Sequence, residues 1–290
     1  MLIGSSLESV SFHVSEACNM NCKYCFTKYE YSGDRRRALP LEDSLSLIGM
    51  LSEAGFKKIS FAGGEPTFKC DWLSDLILYA KNKGLVTMLV SNGTGLTDSF
   101  LNDLHQYLDW IGLSVDSLNL DNMKKIGRQV DNLVVDENYY FNRVEKIKEY
   151  KYKLKINTVV SKANMLEDLS GFINYALPLR WKMFQMFSPV GVSTPAHFTE
   201  FDISKQELVS FFDRHRKAVN ASVPIVLEDV DVMLNSYVMI DPLGRFYQNQ
   251  EGDSPYVYSS PILEIGVNEA LNQIFVDTEK RKKRTASYEF

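Results

Sequence analysis

Three of the four cysteines, Cys18, Cys22 and Cys25, follow one another in the pattern C-x3-C-x2-C. The run before them, Ser9–Val14, reads as a β-strand, so the cysteines fall on a loop at a strand's C-terminal end. That is where α/β barrels carry their chemistry. A disulfide scaffold would spread its cysteines, and this spacing instead reads as metal ligation in a reducing cytosol. A 4Fe–4S cluster has four irons, so three thiolates leave one iron open to an exogenous ligand. A structural zinc would need a fourth ligand at short spacing. Of the four histidines, His13, His105, His197 and His215, none stands close downstream. His13 lies in the strand entering the loop and reads as a packing or orienting residue. Cys70 stands alone and reads as a small buried hydrophobe.

The chain alternates β-rich runs with amphipathic segments. Expected strands are Ser9–Val14, Lys58–Ala62, Val86–Ser91, Trp110–Val115, Lys153–Val160 and Arg180–Phe187. Expected helices are Leu41–Ala54, Asp71–Lys83, Asp98–Tyr107, Tyr139–Tyr150, Met165–Ala176 and Ser204–Val219, several of them bounded by proline or glycine. This rhythm predicts βαβ units on a parallel sheet. Six units are too few for an eight-stranded barrel, which predicts an open, partial (β/α)6 barrel over residues 1–200. Residues 201–290 are expected to form a C-terminal extension covering the barrel mouth. Within it, Tyr237–Asp241 and Arg245–Asn249 flank Pro242-Leu243-Gly244 as a hairpin, and Asn268–Phe275 forms a final helix. The tail Lys280-Arg281-Lys282-Lys283-Arg284 reads as a solvated end.

At 290 residues and 45% hydrophobic, the chain can bury a sizeable core. A net charge of −5 argues against broad nucleic-acid binding, so an anionic ligand must meet a local cluster of cations. No apolar run approaches the roughly 18 residues of a membrane span, and the N-terminus lacks a secretory pattern. A cytoplasmic monomer is expected.

Strand ends supply further polar groups. Ala62-Gly63-Gly64-Glu65-Pro66 closes the second strand; its glycines permit close backbone approach, and its carboxylate suits an ammonium group. Ser91-Asn92-Gly93 closes the third strand, and Ser114 and Asp116 close the fourth. Side chains alternate faces along a strand. Lys58, Ser60 and Ala62 oppose Ile59 and Phe61. Lys153, Lys155 and Asn157 oppose Leu154 and Ile156. Arg180, Lys182 and Phe184 oppose Trp181 and Met183. The outer face of a barrel strand packs on helices and must be apolar, so the cations face inward. Inward cations are costly unless an anion offsets their desolvation. Lys58, Lys155, Arg180 and Lys182, from three strands, can converge on one triphosphate. Lys153 sits at a strand start and reads as solvated.

C-x3-C-x2-C followed by Phe26, with the Gly63-Gly64-Glu65-Pro66 turn one strand later, resembles the radical S-adenosylmethionine (SAM) superfamily. A closer resemblance, from about Ser9 to about Phe275, is to the viperins, specifically the prokaryotic ones. It is carried by Ser11-Phe12-His13, Lys57–Pro66, Ser114–Ser117, Ile126-Gly127-Arg128, Lys155-Ile156-Asn157, Arg180–Gln185, Tyr237 with Arg245-Phe246, and Ile262–Gly266. The resemblance implies a 4Fe–4S cluster on the three cysteines. It puts SAM at Phe26, Gly63, Gly64, Glu65, Ser91, Asn92, Ser114 (at the ribose) and Arg128 (at the carboxylate). It puts a ribonucleoside triphosphate at Ser11, Lys58, Ser60, Ala62, Lys155, Asn157, Arg180 and Lys182. The implied reaction uses a 5′-deoxyadenosyl radical to take the C4′ hydrogen, followed by loss of water. The product is a 3′-deoxy-3′,4′-didehydro nucleotide, a chain terminator active against viruses or phages. Tyr237 is offered as a late hydrogen-atom or proton donor; among fifteen tyrosines it can equally be a packed one.

The chain departs from the family in places. Animal viperins carry an N-terminal amphipathic membrane helix, and here the domain begins almost at once, so a soluble enzyme is expected. The animal viperins have asparagine at Ser11 and serine at Ala62, and a late lysine aligns with Ser260, so the animal preference for CTP is not carried over and CTP, UTP and GTP stay open as substrates. A flavodoxin- or ferredoxin-like electron donor is expected. The family's C-terminus orders over bound nucleotide, so the resemblance leaves a lid role for the basic tail beside its reading as a solvated end. Two other readings remain at this level. One is another radical SAM activity, such as peptide modification or cofactor maturation. The other is an iron–sulfur sensor, which would need neither the turn's glutamate nor the inward cations.

Overall fold

All six strands expected from the sequence form and pair side by side in parallel: β1 (Ser9–His13), β2 (Lys58–Ala62), β3 (Val86–Ser91), β4 (Trp110–Ser114), β5 (Lys153–Val160) and β6 (Arg180–Gln185). The computed structural model describes residues 7–25, 38–68, 70–131, 135–186, 199–249 and 256–285. Past β6 the parallel series continues with β7 (Ile225–Glu228). This strand of four residues follows Pro224 and is too short to show an alternation. On the other side of β1 lies β8 (Met239–Ile240), also parallel to it. The chain then turns at Pro242-Leu243-Gly244 into antiparallel β9 (Arg245–Asn249), the expected hairpin, and on to antiparallel β10 (Tyr256–Pro261). One ten-stranded sheet results, in the order β10-β9-β8-β1-β2-β3-β4-β5-β6-β7. Its parallel, helix-flanked strands make a partial barrel. Strands from beyond residue 200 stand at both ends of it.

Local chemistry sets the helix limits. Helix Leu41–Ala54 stops at Gly55, whose φ of 104° is left-handed and lets its N–H reach back to the last turn. Helix Lys205–Ala218 opens with a reciprocal Ser204/Glu207 capping box. Helix Leu120–Ile126 has no counterpart among the expected elements. It is seven residues long, capped by the Asn119 side chain and ended by Gly127 at φ 81°.

The face assignment from strand alternation matches the packing. Ile59, Phe61, Leu154, Ile156, Trp181 and Met183 all belong to the main buried core. The indole N–H of Trp181 finds Thr158 Oγ1 at 2.9 Å, which satisfies its one polar atom. The basic tail departs from its sequence reading. It forms a helix, Thr278–Thr285, in which Arg281 is 1% exposed and Arg284 is 8% exposed. Among the described residues no helix is long and apolar enough to cross a membrane.

Candidate active site

The cysteine loop is docked onto three strand ends and the end of helix Leu120–Ile126. Gly64 and Glu65 donate their N–H groups to Ser15 O at 2.7 Å and Ala17 O at 2.8 Å. The Asn19 side chain donates to Thr94 Oγ1 and accepts from Asn92 Nδ2, each at 3.0 Å. Lys23 N–H reaches Ile126 O at 2.8 Å, and the Tyr24 hydroxyl donates to Asp116 at 2.9 Å. These contacts explain the two glycines in a way the sequence did not. A Cβ on Gly63 would lie 2.3 Å from Ser15 O, and one on Gly64 would lie 2.3 Å from Ala17 O. The glycines make room first for the cysteine loop's own backbone.

Cys18, Cys22 and Cys25 are partly buried and line one cavity of about 420 Å³. Burial pushes the Cys18 thiol up to about 11 and the Cys22 thiol up to about 12. Such thiols ionise when a metal takes the proton's place. Among the described residues no three acids, cysteines or histidines converge as ligands of a single ion. A 4Fe–4S cluster needs no such convergence, because each thiolate takes its own iron. A donor set of three thiols on a loop held before Cys18 and between its cysteines fits that group.

Beside the cysteines, Glu65 is 1% exposed and lines the same cavity. Its carboxylate accepts from Thr67 Oγ1 at 2.6 Å, Thr67 N at 3.2 Å, Ser91 Oγ at 2.7 Å and Asn92 N at 2.7 Å. Burial raises its pKa and these neutral donors only partly offset that. An ammonium group in the cavity would complete the pairing, and the amino group of SAM is one. Gly63, Gly64, Ser91, Asn92, Ser114 and Arg128 line the cavity too. Arg128 pairs with Asp116 at 2.8 Å and donates to Ser114 O at 2.9 Å and Tyr140 Oη at 3.2 Å. Asp116 also accepts from Val159 N–H at 2.8 Å, so it joins the cysteine loop, Arg128 and β5. Phe26 lies outside the described residues.

The register aligns the substrate side. Ser11 pairs with Ser60, His13 with Ala62, and Ser114, Asn157 and Lys182 form one row across β4, β5 and β6. Ser11, Lys58, Ser60, Ala62, Lys155, Asn157 and Lys182 all line the cavity. Arg180, the register partner of Lys155, is buried but does not line it. Ser260 is exposed and stands away from the cavity. Lys153 is exposed, with its ammonium 5.4 Å from the centre of the Trp110 ring.

Three residues on or next to the cavity wall, Arg281, Arg284 and Glu228, escape any short-range sequence signal. Arg281 and Arg284 of the C-terminal helix line the wall. Glu228, at the end of β7, is fully buried and ion-pairs with Lys182. The chain therefore offsets part of the Lys182 charge itself, where the strand argument assigned that task wholly to a ligand. Tyr237 lines the cavity and its hydroxyl bonds Glu228. A run of basic residues at a terminus looks solvated, and only the three-dimensional fold reveals which side of its helix turns inward.

Residues 12–176 match the Radical SAM superfamily. A Flammeovirga pacifica protein named S-adenosylmethionine-dependent nucleotide dehydratase is 42% identical over 287 residues, covering 98% of this chain and 96% of the relative. A Lacinutrix mariniflava protein of the same name is also 42% identical; this chain covers 59% of its length, and 98% of this chain is matched. A Danio rerio relative with that name and the suffix RSAD2 is 32% identical, covering 91% of this chain and 72% of the relative. Among solved structures, native anSMEcpe with bound AdoMet superposes with a TM-score of 0.68 at 16% identity, covering 97% of this chain and 84% of that one. Streptococcus suis SuiB bound to S-adenosylmethionine superposes at 0.63 and 17% identity, covering 83% of this chain and 59% of that one. At these identities the two structures speak for the fold alone.

Proposed function

The chain belongs to the viperin family of radical SAM enzymes, the S-adenosylmethionine-dependent nucleotide dehydratases, and we propose that it dehydrates a ribonucleoside triphosphate (CTP, UTP or GTP) to the 3′-deoxy-3′,4′-didehydro analogue. The observation that carries this reading is one cavity lined by the cysteine loop, the glycine–glutamate turn and the ammonium-bearing side chains Lys58, Lys155 and Lys182. A peptide-modifying or sensor protein has no need of those cations beside its cluster.

Cys18, Cys22 and Cys25 hold the 4Fe–4S cluster. When bound, the cluster and SAM supply a 5′-deoxyadenosyl radical. Glu65 would receive the SAM ammonium; Gly63, Gly64, Ser91 and Asn92 would shape its seat, and Ser114 would meet its ribose and Arg128 its carboxylate, with Phe26 assigned to the same ligand by the family resemblance alone. Lys58, Lys155 and Lys182 hold the triphosphate, and Arg180 adds positive charge from the neighbouring strand beside Lys155. Fixing the phosphates fixes the ribose, so that its C4′ hydrogen faces the SAM side. Ser11, Ser60, Ala62 and Asn157 surround the sugar and base. Water leaves from C3′, and an electron and a proton complete the product, with Tyr237 at hand as late donor. Residues 201–290 act as a cover, shielding the intermediate from solvent. The enzyme works as a cytoplasmic monomer, reduced by a flavodoxin- or ferredoxin-like donor, and its product terminates viral or phage RNA.

The test is anaerobic incubation of reconstituted enzyme with SAM, reductant and each of the four ribonucleoside triphosphates in turn. The expected result is 5′-deoxyadenosine together with a nucleotide lighter by one water for at least one base. Release of 5′-deoxyadenosine with every nucleotide unchanged in mass would overturn the reading.

A further inference from the structure

Glu228 ends β7 and is 0% exposed, yet it is absent from the cavity wall. Three side chains that do line the cavity meet on its carboxylate, each from a different part of the chain. Lys182 of β6 pairs with Oε1, and Arg284 of the C-terminal helix approaches the same oxygen at 3.8 Å. Tyr237, just ahead of β8, donates its hydroxyl to Oε2. Burial alone would raise the Glu228 carboxyl, but Lys182, Arg284 and the hydrogen bonds outweigh it and hold it below the ordinary range. The carboxylate is therefore ionised at neutral pH. A carboxylate only accepts, so the Tyr237 hydroxyl donates to Glu228 in this arrangement, and its hydrogen is held beside the cavity that Tyr237 lines.

A negative charge among cations meant for phosphate weakens phosphate binding by simple repulsion. Its presence asks for a compensating task, and the three contacts supply one. We propose that Glu228 is the positioning residue of the nucleotide pocket: it fixes the Lys182 ammonium and the Tyr237 phenol in one arrangement and docks Arg284, and with it the C-terminal helix, against them. This rests on the reading that a nucleoside triphosphate lies along Lys182. Both cations also lie over the Tyr237 ring, the Arg284 guanidinium 3.8 Å and the Lys182 ammonium 5.7 Å from its centre. While the carboxylate is in place, that hydrogen bond holds the phenol's hydroxyl toward Glu228.

The test uses cluster-loaded enzyme carrying E228Q, E228D, Y237F or E228Q with Y237F. It reads KM for the triphosphate, KM for SAM, and the ratio of 5′-deoxyadenosine to dehydrated nucleotide. In E228Q that ratio is expected to rise about tenfold, the loss of one charge-assisted hydrogen bond, with KM for SAM unchanged. E228D should recover part of the loss. The double variant should be no worse than the poorer single one, because Glu228 acts through Tyr237. A merely structural glutamate would lower all rates in proportion to folded protein and leave the ratio alone; that outcome, or losses that multiply in the double variant, overturns the proposal. If E228Q does not fold, E228D decides: a wild-type ratio and KM in that variant overturns it. Amide hydrogen exchange over residues 278–285 is a separate readout, expected to quicken in E228Q or E228D; unchanged exchange overturns the docking role. Should the unaltered enzyme dehydrate no nucleotide, the functional reading fails, and hydrogen exchange still judges the Glu228 contacts.

Discussion

Lys182 illustrates how far single residues were legible. Strand alternation alone turned it inward, and it is 1% exposed on the cavity wall. What alternation could not supply was Glu228, 46 residues away in sequence, because an ion pair between β6 and β7 exists only once β7 is seated. The pair changes what Lys182→Ala should do. Loss of a charge-assisted phosphate contact is worth about 1.5–3 kcal/mol, so KM for the triphosphate should rise about 10- to 150-fold. Removing one partner of a buried pair should also cost about 3–5 kcal/mol of folding stability. Steady-state kinetics and urea unfolding read the two effects separately; an unchanged KM takes Lys182 out of the phosphate site. His13 carries a second prediction. It is buried with Nδ1 2.8 Å from the Tyr247 hydroxyl, and burial pushes its imidazole down to about 4. Below the ordinary pKa of about 6.5 the unfolded chain binds a proton that the folded chain refuses. Stability is therefore full above pH 6.5 and should fall by about 1.4 kcal/mol per unit as pH drops toward 4. The buried His215 is shifted in the same direction. Urea midpoints at pH 7.5 and 5.5 should show the loss, and His13→Gln should reduce it; an equal loss in that variant would exclude His13 as the cause.

Among the elements, β2 was readable to the residue because its five positions alternate cleanly between core and cavity. Helix Leu120–Ile126 and β7 were missed because seven and four residues give too little periodicity to register. The glycine–glutamate turn was found, but for half of its reason. Its residues meet the ligand side, and its missing Cβ atoms admit the cysteine loop. A Cβ on Gly64 would also lie 2.5 Å from Glu16 O, so an added methyl meets two successive backbone carbonyls. Backbone cannot yield as a flexible side chain can, and the loop would have to lift away from β2. Gly64→Ala is therefore expected to leave the sheet folded but to lower iron and sulfide per chain after reconstitution, with weaker cluster absorbance. Wild-type iron content in this variant would mean the loop accepts the shift, and the turn would then serve the ligand alone.

At the scale of the molecule, the sheet is open, with β7 and β10 at its edges. β7 and the segment ahead of β8 are joined by side chains. Glu228 at the end of β7 holds Tyr237 ahead of β8. Arg281 bonds the carbonyls of Ser9 and Ser236, and Arg284 donates to Ser236 O at 3.0 Å. The C-terminal helix thus ties β1, β7 and the β8 approach together across the cavity. No local pattern could have shown this, since a basic helix with a mean hydropathy typical of solvent-facing segments gives no sign of what it closes. The arrangement also places guanidinium groups at the cavity in a chain of net charge −5, so attraction for a polyanion is concentrated where the substrate would lie. Ending the chain after Asp277 removes both arginines while sparing the cysteine loop, the glycine–glutamate turn and Lys58, Lys155 and Lys182. Cluster assembly and SAM binding should survive. KM for the triphosphate should rise at least about tenfold, the worth of one charge-assisted contact, and the dependence of KM on salt should weaken because fewer cations meet the phosphates. If the shortened chain binds triphosphate as tightly as the full one, the helix braces the fold and takes no part in holding the nucleotide.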